Sequence, residues 1–192
     1  MSSGEVLHRR FSTEIEVRSG GDGRTLTGIV VPFDRPTSPD SGLPFTETFR
    51  QGAFARTIAD RGSKVKLLVA HDSQALPVGR ASLLREDRAG LYAEFRVSAT
   101  PRGDEVLELA RDGALDAFSV GFVPLQDQWS NNGQDRTVTE AKLLEVSAVT
   151  WGAYPDARVL AVRSGAVDDR TLLMQLQRLE LLRRRDPATS FS

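Results

Sequence analysis

The chain has no cysteine and, among its 192 residues, only two histidines, two methionines, two tryptophans and two tyrosines. Without cysteine there is no thiol nucleophile, no disulfide framework and no sulfur-ligated zinc site. A carboxylate-rich metal site has no spacing motif behind it, and no cofactor is expected. No run approaches the roughly 18 consecutive apolar residues of a membrane helix, and the charged start (Glu5, Arg9, Arg10) does not read as a signal peptide. An excess of either charge is also missing. Twenty-five basic against 26 acidic side chains leave a net charge of −1, which gives no field to hold nucleic acid or an anionic membrane. The remaining composition, 40% hydrophobic and 27% charged, is that of a globular protein working in a cytoplasm.

The length suits one well-buried core with a tail outside it. Residues 1–10 read as a flexible N-terminus, 11–165 as the domain, and 166–192 as a helical tail. From Phe11 to Val17 apolar and polar residues alternate, predicting a half-buried strand that ends at Gly20-Gly21-Asp22-Gly23. A second strand is expected over Thr25 to Pro32 and a short helix over Glu47 to Ala59. The run Val65 to Ala70 reads as a strand, and Val78 to Arg85 with Leu91 to Ser98 as a hairpin. Thr100 and Pro101 start a helix that buries Val106, Leu107 and Ala110. Two long strands, Ala117 to Gln128 and Arg136 to Trp151, flank Asn131-Asn132-Gly133, a sequence suited to the positive φ of a hairpin turn. Thr171 to Arg185 has leucines at helical spacing and reads as an amphipathic helix after a Ser164-Gly165-Ala166 linker. The fold class is mainly β with helices.

Three residues supply complementary chemistry. His71 follows the apolar run, at the mouth of a strand, where an imidazole can take and return a proton. His8, in the N-terminal stretch, is a poor candidate beside it. Ser119 shares a strand face with Ala117 and Gly121, small neighbours that let a substrate backbone approach its hydroxyl. Glu145 interrupts the run Leu143 to Val149. Facing inward it needs a partner, and an imidazolium at His71 is one; facing outward it simply marks a solvent face with Ser147. A serine hydroxyl requires a base, and the base requires a group that orients it; His71, Ser119 and Glu145 provide one of each. No Gly-x-Ser-x-Gly surrounds Ser119, which argues against an α/β-hydrolase.

Five segments taken in order resemble the prohead, or capsid maturation, serine proteases of tailed bacteriophages of the HK97 type, a family distantly similar to herpesvirus assemblin. They are Gly28 to Phe33; Glu47 to Phe54; Ala70-His71-Asp72 with Pro77 to Arg80; Phe118 to Phe122; and Leu144 to Thr150 followed by Ala153 to Ala157. The resemblance covers residues 11 to 165. It implies an assemblin-like β-barrel ringed by helices, with His71 as general base and Ser119 as nucleophile. Assemblins place a second histidine at the third position; here Glu145 occupies the matching strand, with Asp72 and Asp116 as alternatives. The implied reaction is peptide hydrolysis through an acyl-enzyme, with oxyanion donors expected in the loop Gly152 to Arg158. The implied partners are the major capsid protein with its scaffolding region, inside the immature shell in a bacterial host, and the chain itself through self-cleavage or as a homodimer. The other readings are a non-catalytic scaffolding protein and an esterase-like hydrolase.

Overall fold

Strand-forming alternation governs most of this chain, and a computed structural model, which describes residues 5–18, 21–39 and 45–150, shows where each strand lies. In chain order they are β1 (Leu7–Glu14), β2 (Glu16–Val17), β3 (Thr25–Pro32), β4 (Thr46–Phe49), β5 (Lys66–Val69), β6 (Gly79–Glu86), β7 (Gly90–Val97), β8 (Ala117–Ser130) and β9 (Asp135–Val149), with helices α1 (Ala55–Arg61) and α2 (Pro101–Arg111). All nine join one sheet, ordered β1-β8-β9-β5-β6-β7-β3-β2, with β4 added alongside β9. The sheet curls into a half-barrel that brings β1 against β3 from the other end of the path. This is the mainly β, assemblin-like architecture expected from the sequence. The tail at 166–192, its expected helix and the loop Gly152 to Arg158 lie outside the described residues.

β9 is the hub. It runs antiparallel to its hairpin partner β8 and parallel to both β4 and β5, so two strands distant from it in sequence are held by one. The β8–β9 turn uses Asn131, Asn132 and Gly133 at φ of 50°, 54° and 84°, as their composition implied. α2 starts where expected: the Thr100 hydroxyl accepts from the Gly103 amide at 3.1 Å, and Val106, Leu107 and Ala110 are buried. The concave side is filled by Phe11, Phe49, Phe54, Phe95, Phe118 and Phe122, with Phe49 stacked on Phe54 at 5.7 Å and edge-on to Phe122 at 5.2 Å.

Two expectations need correction. β1 begins at Leu7, inside the stretch read as a flexible N-terminus, and pairs with β8 from Leu7↔Phe122 onward. The helix expected over Glu47 to Ala59 is instead strand β4, a turn through Gly52 at φ 97°, and then α1. Both differences share one cause. Glu47 is fully buried, accepts from Arg9 Nε at 2.5 Å and from Arg136 Nη1 at 3.0 Å, and Arg136 also reaches Asp127 at 2.6 Å. That network fixes β1, β4, β8 and β9 together, and a helix at 47 would carry the carboxylate away from it. The turn is then closed by Glu86, whose carboxylate accepts from the Gly52 and Phe54 amides at 2.7 Å each.

Removing the shared carboxylate of this buried network leaves Arg9 without its acid and Arg136 with Asp127 alone, at a cost of about 3–5 kcal/mol. Glu47→Ala is therefore expected to lower stability by that amount, read as a fall in the midpoint of urea unfolding. A change below about 1 kcal/mol would mean that Arg9 and Arg136 find water or other partners, and that the network is not what holds β1 in place.

Candidate active site

The site sits on two lateral rows of the sheet. In one, β-register places Arg10, Ser119 and Ser147 side by side with Leu68; in the next it places His8, Gly121 and Glu145 side by side with Lys66. Side chains that share a face across neighbouring strands lie about 5 Å apart. Ser119, Glu145 and Ser147 are therefore close because of register, not because of nearness in sequence.

His71 reaches them from the end of β5. There the chain turns through Ala70 and His71, both left-handed at φ 52° and 58°, a conformation non-glycine residues seldom adopt. Three bonds hold the turn: the Ala70 amide to Ala148 O at 3.1 Å, the Asp72 amide to Val69 O at 3.1 Å, and the His71 amide to the Ser147 hydroxyl at 3.0 Å. The turn folds the imidazole back over the sheet. Its Nε2 lies 2.5 Å from Ser119 Oγ and its Nδ1 lies 2.7 Å from Glu145 Oε1. The Ser147 hydroxyl also donates to Glu145 Oε2 at 2.8 Å, so the carboxylate is held at both oxygens.

All three residues singled out from the sequence thus meet. Glu145 and Ser147 do share a face, as their parity requires, but it is the face of this cluster and not an open solvent face: Ser147 is fully buried. Asp72 turns away and caps its own loop, accepting from the Gln74 and Ala75 amides at 3.1 Å. Asp116 immediately precedes β8, with its buried Oδ1 unpartnered. Neither of these alternatives contacts the imidazole among the described residues.

Two features were not anticipated. Ser119 is fully buried, because β1 lies alongside it and the hydroxyl donates to Arg9 O at 2.9 Å. The hydroxyl therefore has one proton and two acceptors, the Arg9 carbonyl and His71 Nε2. His8, set aside in the sequence, stands in the site, with its Nδ1 2.9 Å from His71 Nδ1 and 3.6 Å from Glu145 Oε1. Burial, and after it the neighbouring His71, lowers the pKa of His8 from its ordinary value, which favours the neutral ring. Nothing in the local sequence marks His8. Only the pairing of β1 with β8 puts it opposite Gly121.

Gly121 is the space into which the Glu145 carboxylate fits; a Cβ there would collide with Glu145 Oε1. Because that atom is the end of a flexible side chain, Gly121→Ala is expected to change stability by less than about 1 kcal/mol. It is expected to push the carboxylate off His71 and, in the serine protease that the resemblance implies, to lower hydrolysis by about tenfold to a hundredfold. Unaltered kcat/KM in a folded Gly121→Ala protein would show that the position of Glu145 is unimportant.

The fold has a counterpart among solved structures. It resembles the structure of the bacteriophage T4 capsid assembly protease with a TM-score of 0.56 at 14% identity, over 77% of this chain and 98% of that one. Residues 13–169 match the model of the caudovirus prohead serine proteases, and the chain belongs to that family. It is 30% identical over 165 residues to the prohead protease of Enterobacteria phage HK97, covering 83% of this chain and 70% of that protein.

Proposed function

We propose that the chain is a serine endopeptidase of capsid maturation in which Ser119 is the nucleophile, His71 the general base and Glu145 the group that orients the base. The observation that carries this reading is the unbroken relay from Ser119 Oγ through both ring nitrogens of His71 to Glu145 Oε1, at 2.5 and 2.7 Å. A carboxylate at Nδ1 holds the ring proton there, leaves Nε2 free to accept from the serine, and stabilises the imidazolium that forms. As the hydroxyl attacks a peptide carbonyl its proton passes to Nε2 and its bond to the Arg9 carbonyl is lost. The proton then goes to the departing amine, and water, deprotonated by the same nitrogen, releases the acyl group.

The substrates in this reading are capsid-assembly proteins inside the immature shell, chiefly the scaffolding region of the major capsid protein, together with the protease itself. Self-cleavage gives the segment 166–192 a role as a detachable tail that docks the enzyme during assembly. The family membership and the site geometry both support the reading.

A fluorophosphonate probe combined with coexpression tests it. Labelling at Ser119 separates an enzyme from a non-catalytic scaffolding protein. A loss of mass from coexpressed major capsid protein separates a protease from an esterase. No labelling of the folded chain, or labelling elsewhere, would remove Ser119 from the mechanism.

A further inference from the structure

We propose that His8, His71 and Glu145 form a binding site for one divalent ion of the zinc class, and that its occupancy switches the enzyme off reversibly. The regulatory half of this inference rests on the role given to His71 above; the binding half does not.

Three ligand atoms of the appropriate kinds face a single point. His8 Nδ1 and His71 Nδ1 are 2.9 Å apart, His71 Nδ1 and Glu145 Oε1 2.7 Å, and His8 Nδ1 and Glu145 Oε1 3.6 Å. A four-coordinate zinc with bonds of about 2.0–2.1 Å holds its ligand atoms about 3.3 Å apart, so adjustments of several tenths of an ångström suffice. Two imidazoles and one carboxylate are a donor set of zinc enzymes, and the fourth position is left for water. The His8 side chain is 47% exposed, so an ion can enter from that side.

The proton count favours a cation as well. Without one, two ring nitrogens and a carboxylate oxygen converge, and with the His71 proton on Nδ1 and the His8 proton on Nε2 one hydrogen faces two acceptors. A metal ion accepts all three lone pairs at once. The supports that fix a ligand's direction are also in place: the Ser147 hydroxyl donates to Glu145 Oε2, the same hydroxyl receives the His71 amide, and Gly121 leaves room for the carboxylate. The three ligands come from β1, β9 and the turn after β5, so the site exists only in the folded sheet.

Occupancy and catalysis compete for one nitrogen. An ion on His71 Nδ1 takes that lone pair and leaves the proton of the neutral ring on Nε2, so Nε2 donates toward Ser119 and no longer accepts from it. The hydroxyl proton then has no base to receive it. Glu145 Oε1 is occupied by the same ion, and a chelator restores both groups together.

The test separates binding from regulation. Zinc is titrated calorimetrically into the full chain carrying Ser119→Ala, previously dialysed against a chelator, and cobalt(II) is used in parallel for its absorption spectrum. The expected result is one zinc per chain with micromolar or tighter affinity, four-coordinate cobalt bands, and at least about tenfold weaker binding in the added presence of either His8→Asn or Glu145→Gln. In the wild-type chain zinc is expected to stop peptide hydrolysis at the concentration at which it binds, and His8→Asn to shift that inhibition curve by the same factor. No stoichiometric binding up to about 1 mM, or binding indifferent to His8→Asn, overturns the site. Hydrolysis untouched by saturating zinc overturns the switch alone. Binding to Ser119→Ala in a protein whose wild type hydrolyses nothing upholds the site and removes the protease reading instead.

Discussion

Ser119→Ala is expected to abolish cleavage of coexpressed capsid scaffold and of the chain itself, by roughly three to six orders of magnitude in rate. The methyl group left behind cannot attack a carbonyl, and neither His71 nor Glu145 replaces it, because each acts through the serine oxygen. The change removes a buried hydroxyl whose partners are the Arg9 carbonyl and the His71 ring, and the ring keeps Glu145. Folding is therefore expected to survive at a cost of about 1–2 kcal/mol. Intact mass of the wild type beside the variant reads the result directly: trimming in the wild type that the variant lacks assigns nucleophile and reaction together. Near-normal processing by the variant would sink the assignment.

Glu145→Gln is expected to lower kcat/KM by roughly two to four orders of magnitude, for a reason specific to this site. The carboxylate accepts at both oxygens, from His71 Nδ1 on one side and from the Ser147 hydroxyl on the other. A glutamine amide has only one oxygen. If that oxygen faces Ser147, the amide nitrogen donates to Nδ1 and forces the ring proton onto Nε2, the tautomer that cannot receive a proton from Ser119. If it faces His71, the orientation is kept but the negative charge that stabilises the imidazolium is gone. Steady-state kinetics on a peptide substrate, with thermal unfolding to establish that the variant is folded, gives the answer. Should Asp72→Asn be the crippled variant and Glu145→Gln be near normal, the orienting group is Asp72.

What the sequence revealed of this site depended on how local each signal was. His71 stands out because it ends an apolar run at the mouth of a strand, and Glu145 because it interrupts one, where a polar residue has to be explained by a partner. Ser119 is legible through its small neighbours, Ala117 and Gly121. His8 has no such context: its placement follows from the β1–β8 register, and that register depends on Arg9 reaching Glu47, 38 residues away. The role of Glu47 is hidden for the same reason. The stretch from Glu47 to Ala59 has helical spacing in its second half, Phe54 and Ile58, and this concealed the period-2 burial of Thr46 to Phe49. Strand pairing with β9 outweighed it. The covering of Ser119 by β1 was also invisible, since no pattern within one strand announces which strand will lie beside it.

The position of β9 has a consequence for when the protein becomes active. Glu145 and Ser147, which hold the imidazole, lie near the end of β9, and that strand anchors β5, whose terminal turn presents His71. During synthesis the histidine and the serine emerge from the ribosome well before residue 147. Until β9 has followed them and joined β5 to β8, the two have no common frame and the base has no proton acceptor behind it. In the proposed mechanism a nascent chain is therefore inert, and competence arrives only when β9 has joined the sheet.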